Sequence, residues 1–241
     1  MKRLKAVGLW VGLGLGLAFC GSAWGAEGYA RPGLLVETGE LAKVLNDPNV
    51  RLIDAIDPTL YGRAHIPGAV NLFYQELNKL EEKKKSGFPL SPEEAEKVFG
   101  EAGIDEKTPV IVYDGGEGPF AAGVWHVLTA FGHPNVRVLN GGFRKWLKES
   151  RPITQEVPKV EKRRFVARPQ SDLMVKADWM LKNLGNKDLI VLDARSFKEY
   201  IGEDIRGVAR GGHIPGAVHL EWVKVADKLE TFKAADKLRQ V

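Results

Sequence analysis

Six consecutive residues occur twice in this chain, letter for letter. His65-Ile66-Pro67-Gly68-Ala69-Val70 returns as His213-Ile214-Pro215-Gly216-Ala217-Val218. Upstream, Leu52-Ile53-Asp54-Ala55 matches Val191-Leu192-Asp193-Ala194, and Val36 and Val175 precede Asp54 and Asp193 by the same interval. Asp193 and His213 stand farther apart than Asp54 and His65 do, which makes Gly202 to Gly212 a loop insertion. A repeat on this scale implies two homologous modules, and 241 residues suffice for two ordinary domains.

The first copy alternates strand and helix signals. Short apolar runs at Leu34–Val36, Arg51–Ala55, Ala69–Leu72, Val110–Tyr113 and Val136–Leu139 predict buried strands. Thr38 opens a helical stretch through Val44 and Leu45. Ser91-Pro92-Glu93-Glu94 supplies an N-cap, a first-turn proline and first-turn acids, and Phe120 to Phe131 reads as a third helix. Near-continuous apolar strands alternating with helices predict an α/β fold: a mainly parallel sheet with helices on both faces, and ligands at the carboxyl ends of its strands. Residues 151–170, with Pro152, Pro158, Pro169 and the basic run Lys159 to Arg164, predict an extended connector. The modules are then 26–150 and 171–241.

Residues 1–25 read as a secretory signal, with Lys2, Arg3 and Lys5 ahead of an apolar run from Ala6 to Phe19 and small residues at Ala23 and Gly25. Cleavage after Gly25 predicts an exported protein, periplasmic in a bacterium, with no membrane attachment afterwards. An uncleaved anchor would need about 20 apolar residues, and the four glycines of this run weaken a helix. A lipoprotein reading would use Cys20, but bulky Phe19 precedes it. The single cysteine of the chain therefore leaves with the signal. So do three of the 35 basic residues, leaving 32 against 31 acidic ones, a balance that gives no basic footprint for nucleic acid. A 44% hydrophobic and 27% charged composition excludes disorder.

The repeated His-Ile-Pro-Gly-Ala-Val after a strand ending in Asp-Ala, the turn Tyr113-Asp114-Gly115-Gly116-Glu117-Gly118, and Leu139-Asn140-Gly141-Gly142-Phe143-Arg144-Lys145-Trp146 together resemble the tandem rhodanese family of sulfurtransferases. The resemblance implies two rhodanese-like modules, the first catalytically silent and the second carrying a cysteine in the turn after its central strand. That cysteine takes sulfur from thiosulfate or 3-mercaptopyruvate as a persulfide and passes it to cyanide or another thiophilic acceptor. No cofactor is implied. The partners are a small anionic donor and the acceptor. Such a turn of backbone N–H groups feeding a helix lowers a thiol pKa and holds an anion.

At the first module's cysteine position stands Asp114, which cannot be sulfurated and reads as a loop anchor. Arg195, in Asp193-Ala194-Arg195, is implied to bind the anionic donor, for which a guanidinium fork is suited. The plainer reading of Arg195 is an ion pair with Glu199 at helical spacing. His65 and Asp54 are candidates for a proton relay of the kind proposed in mercaptopyruvate-type relatives, but twin histidines in identical motifs suit a structural role fixing the Pro-Gly turn. The first copy continues from Val70 as far as Trp146, whereas the stretch from Val218 to Val241 is less than half as long. The second module is thus expected to be incomplete, with its cysteine beyond Val241. Residues 171–241 are expected to be protease-sensitive, with 26–150 resistant. The alternative is a cysteine-free pseudoenzyme that binds oxyanions or a protein.

Other chemistries lack their carriers. The five histidines show no i, i+4 pairing for zinc, and neither a Gly-x-Ser-x-Gly elbow nor a Walker lysine occurs. Trp125, Trp146, Trp179 and Trp222 are expected in the core or between modules.

Overall fold

The structure is a computed structural model and describes residues 28–241 except 80–82, 84, 86, 117, 118, 229 and 230. The expected signal, 1–25, lies outside the described residues.

Five strands, β1 (Leu35–Val36), β2 (Arg51–Asp54), β3 (Ala69–Asn71), β4 (Val110–Tyr113) and β5 (Val136–Leu139), form one parallel sheet in the order β1-β5-β4-β2-β3. Alternation along each strand feeds two cores. Ile53, Val110 and Val112 face α4 (Pro92–Glu101) and α5 (Phe120–Ala130), in a layer containing Phe99, Val124 and Leu128. Leu52, Ile111 and Tyr113 face the other way, toward Leu41 of α1 (Thr38–Val44), Tyr61 of α2 (Pro58–Arg63) and Trp146 of α6 (Gly142–Lys148). A short α3 (Tyr74–Leu77) follows β3. The helix starts follow the side chains: Ser91 accepts from the Glu94 N–H while Glu94 answers to the Ser91 N–H, a reciprocal cap ahead of Pro92.

Residues 151–170 carry no helix and are not free. Phe165 is buried against Phe99 and His133. The Arg163, Arg168 and Gln170 N–H groups donate to Gly100, Phe131 and Ala130 carbonyls, and Thr154 exchanges backbone hydrogen bonds with His65. Gly100 is needed where the strap crosses α4, since a Cβ there would lie 2.6 Å from the Arg163 oxygen. Residues 151–170 thus complete the core of the first module.

The second copy repeats the start of this plan. β6 (Leu192–Asp193) pairs in parallel with β7 (Val218–His219), in the register of β2 with β3, and α7 (Ala177–Asn183) and α8 (Phe197–Ile201) flank them. Ser196 caps α8 with the same reciprocal Ser–Glu arrangement, and Gly202 ends it in the left-handed region. A 3₁₀ turn (Trp222–Val225) leads into a hairpin of β8 (Ala226–Asp227) and β9 (Thr231–Phe232), and α9 (Ala235–Leu238) follows. Among the described residues β6 and β7 pair only with each other, so Ile190, Leu192, Phe197 and Val218 are more than half exposed. Val175, the counterpart of Val36, is in no strand, because β1 pairs with β5 in the first copy and β5 has no described counterpart in the second. Trp146 is buried and Trp125 half-buried, as expected, but Trp179 on α7 is largely exposed for the same reason.

Candidate active site

At the carboxyl end of β4 the chain turns through Asp114, Gly115 and Gly116 before α5. The buried Asp114 carboxylate accepts from the Gly116 N–H at 2.8 Å and the Ala121 N–H at 3.0 Å. Burial pushes its pKa up, and those N–H groups pull against the shift. The turn is locked to the start of α6 by the Phe143 N–H, which donates to the Asp114 carbonyl. Gly142 makes this approach possible: its φ is +52° and a Cβ would lie 2.6 Å from the Asp114 oxygen. The Asp114 carboxylate thus ties the turn to the start of α5. Glu117 and Gly118 of the same turn lie outside the described residues.

Asp54 ends β2 beside this turn. It accepts from the Ile56 N–H at 3.0 Å and hydrogen-bonds Tyr113, and burial pushes its carboxyl up to about 6. His65 does not hydrogen-bond it. The fully buried His65 ring places Nδ1 2.9 Å from the Tyr61 carbonyl and Nε2 3.1 Å from the Glu156 carbonyl, and lies flat on the Tyr61 ring. Both ring nitrogens face backbone carbonyls, so the ring holds this corner of the backbone.

The second copy rebuilds this corner. His213 stacks on Tyr200 with Nδ1 2.8 Å from the Tyr200 carbonyl, and the Tyr200 hydroxyl donates to the Ala217 carbonyl as Tyr61 does to that of Ala69. The Arg195–Glu199 ion pair of the plainer reading is not formed among the described residues. Arg195 Nε donates to Asp193 Oδ1 at 3.0 Å and Nη2 to Asp193 Oδ2 at 2.6 Å and to the Gly212 carbonyl at 2.8 Å. Glu199 instead caps α8 through Ser196. The Asp193 hydrogen bonds raise the Arg195 pKa, and the same bonds lower that of Asp193.

The first-copy counterpart of Arg195 is Ile56. Ile56 Cδ1 would lie 3.6 Å from a Cβ on Gly115, so this sequence position borders the turn that follows the central strand. Beyond that turn, a cavity of about 210 Å³ runs between the Asp114 turn and Trp222 and Phe232 of the second copy. Asn140 closes one side, accepting from the Phe232 N–H and donating to Glu37. Among the described residues no group of three His, Cys, Asp or Glu could hold a metal, and no helix is long and apolar enough to cross a membrane.

The rhodanese-like domain profile matches residues 37–149 and 176–241. The chain belongs to the rhodanese family. It is 35% identical over 226 residues to the sulfur carrier protein TtuD of Thermus thermophilus, covering 88% of this chain and 78% of that one. With the thiosulfate sulfurtransferase of Azotobacter vinelandii it shares 33% identity, over 83% and 73% of the two chains. The crystal structure of the 3-mercaptopyruvate sulfurtransferase SseA from Escherichia coli superposes with a TM-score of 0.74 at 26% identity, over 86% of this chain and 81% of that one. The fold is thus the rhodanese α/β fold in two modules, and the family activity is sulfur transfer.

Within this rhodanese, sequence reasoning overlooked the tyrosines and the clamp on Arg195. The tyrosine signal was available: Tyr61 and Tyr200 follow Asp54 and Asp193 at the same interval. The Asp193 partnership was hidden because Arg195 precedes the cap of α8 and so is not on the helix whose spacing suggested Glu199.

Proposed function

We propose that this rhodanese is an exported sulfurtransferase that moves sulfane sulfur from thiosulfate or 3-mercaptopyruvate to a thiophilic acceptor such as cyanide. Arg195 binds the anionic donor, the first module is a silent copy anchored by Asp114, and the sulfur is carried on a cysteine persulfide. In that route a thiolate attacks the outer sulfur of thiosulfate. The sulfur–sulfur bond breaks, and sulfite leaves with the electron pair.

One observation carries the reading. The position of Arg195 borders, in the first copy, the turn that begins with Asp114, and there it is occupied by Ile56; the family resemblance puts a cysteine where Asp114 stands. Asp193 occupies one edge of the guanidinium through Nε and Nη2, while no hydrogen bond from Nη1 to a described residue is seen. Two N–H groups there suit an oxyanion.

A second reading has its own support. Residues 26–241 contain no cysteine, and in this reading they bind an oxyanion through Arg195 without transferring sulfur. The native protein incubated with thiosulfate and cyanide separates the two. Thiocyanate formation with an exported product beginning at Ala26 supports the sulfurtransferase. Saturable thiosulfate binding without thiocyanate supports the binding module.

A further inference from the structure

The insertion that distinguishes the second copy begins and ends on glycines that touch each other. Gly202 and Gly212 have φ of +85° and +97°, in the left-handed region. A Cβ on Gly211 would stand 2.8 Å from both Cα and O of Gly202, and a Cβ on Gly202 would stand 2.9 Å from the Gly212 nitrogen. The two strands of the loop therefore cross at a neck that only glycine permits. Beyond the neck the loop is tied to α8, where Glu203 and Asp204 N–H groups donate to the Lys198 carbonyl, and turned on itself by the Val208 N–H, which donates to that of Ile205.

The neck presents the Gly212 carbonyl to Arg195 Nη2 at 2.8 Å. Asp193 alone would hold the guanidinium along one edge and leave it free to swing about that contact. The second acceptor, on a different segment, fixes its plane. The first copy supplies the contrast within one chain: it has Ile56 in place of Arg195, and its Tyr61 reaches His65 through Gly62-Arg63-Ala64 with no loop. Tyr200 and His213 nevertheless make the same ring stack across the loop, so the insertion is not needed for that corner. What it adds is the carbonyl on Arg195.

We propose that the Gly202–Gly212 loop is a positioning device for Arg195: its glycine neck sets the Gly212 carbonyl, which together with Asp193 aims the free Nη1 edge at the anionic donor. This rests on the reading of Arg195 as the donor-binding group.

Thiosulfate binding to the full chain, followed by calorimetry, and the 15N-resolved Nε–H signal of Arg195 test it. Gly211→Ala is expected to weaken thiosulfate binding about tenfold and to speed exchange of the Arg195 Nε–H, since the neck must open. Gly207→Ala is the control, a left-handed glycine of the same loop (φ +75°) with nothing within 4 Å, and should change affinity less than about twofold. A second variant guards against misfolding: replacing Ile201–Gly212 by Gly-Arg-Ala, the first copy's own link between its tyrosine and histidine, should keep the fold and lose affinity as Gly211→Ala does. If both variants keep wild-type affinity and Nε–H protection while Arg195→Gln abolishes binding, the positioning role is overturned and Arg195 stands. If Arg195→Gln binds thiosulfate as the wild type does, or the wild type binds none, the reading of Arg195 itself fails.

Discussion

The Tyr200 ring lies flat against His213, 3.7 Å between centroids, with the whole insertion looping out between them, and Tyr61 makes the same stack on His65 at 3.8 Å across a single helical turn. In both copies the tyrosine carbonyl meets histidine Nδ1 and the tyrosine hydroxyl reaches the residue after the Pro-Gly turn. The corner ties the helix after the Asp strand to the start of the next strand, which sets the register of that pair.

The two tyrosines should differ in what they contribute. The Tyr61 hydroxyl bond to Ala69 is buried, and Tyr61→Phe leaves that carbonyl without its partner, at a cost of about 1–2 kcal/mol. Tyr200 is only partly buried, so water can replace its hydroxyl and Tyr200→Phe should cost less than about 0.5 kcal/mol. Urea unfolding of the two variants measures both. Equal losses would mean that the corner is not the device described.

Asp54 gives the first module a pH signature. Burial raises its carboxyl to about 6 in the folded state from an ordinary 3.8. The folded form therefore holds this proton where the unfolded form has released it, and the contribution is full below pH 3.8 and lost as pH rises through 6. Asp54→Asn keeps an acceptor for the Ile56 N–H but has no charge to bury. Its stability relative to wild type should rise between about pH 4 and 6 and level off above, by an amount on the order of 2–3 kcal/mol. Unfolding curves of both proteins from pH 4 to 8 give the difference, and a flat difference would remove the burial account.

Much of this was legible in the sequence, and the failures share a cause. β4 and β5 fall on the expected residues because their apolar runs are bounded by polar neighbours, and the cap at Ser91 carries its own signature. The repeat singles out Asp54 and His65, and the family resemblance adds Asp114 and Arg195. What periodicity could not show was which partner wins when several are in reach. Glu199 lies at helical spacing from Arg195, but its carboxylate is taken by Ser196, and Asp193, two positions away, wins because the link between β6 and α8 folds back on itself. Phe165 was equally opaque, a lone aromatic after a basic run whose burial depends on α4 and α5 meeting it.

Phe165 changes the expected protease map. Residues 171–241 expose much of their apolar surface, and opening there should precede opening of the first module. The resistant fragment should end near Gln170 rather than at Ser150, because the strap is bonded to Gly100, Phe131 and Ala130 along its length. Phe165→Ala should free the strap, lower the stability of the first module by about 3–4 kcal/mol and move the resistant end back toward Ser150. Mass spectrometry of a brief protease digest reads the end point directly. A wild-type fragment stopping at Ser150 would show that the strap is a linker after all.

The Asp114 turn offers a direct test of the role proposed for Arg195. Asp114→Cys would put a thiol where the Gly116 and Ala121 N–H groups converge, donors that favour a thiolate. Burial opposes them, as it does for the Asp114 carboxyl, and the neighbouring Ile56 offers an anionic donor nothing. The single variant should therefore take sulfur from thiosulfate slowly. Adding Ile56→Arg places beside the turn the arginine that the second copy carries at this position as Arg195, and the rate should rise by about tenfold or more, the value of one charge-assisted contact to the anion. Intact mass after thiosulfate, a gain of one sulfur that cyanide removes as thiocyanate, follows both variants. If the arginine brings no gain while the cysteine is sulfurated, anion binding at this position is not what the reaction needs, and the role given to Arg195 falls with it.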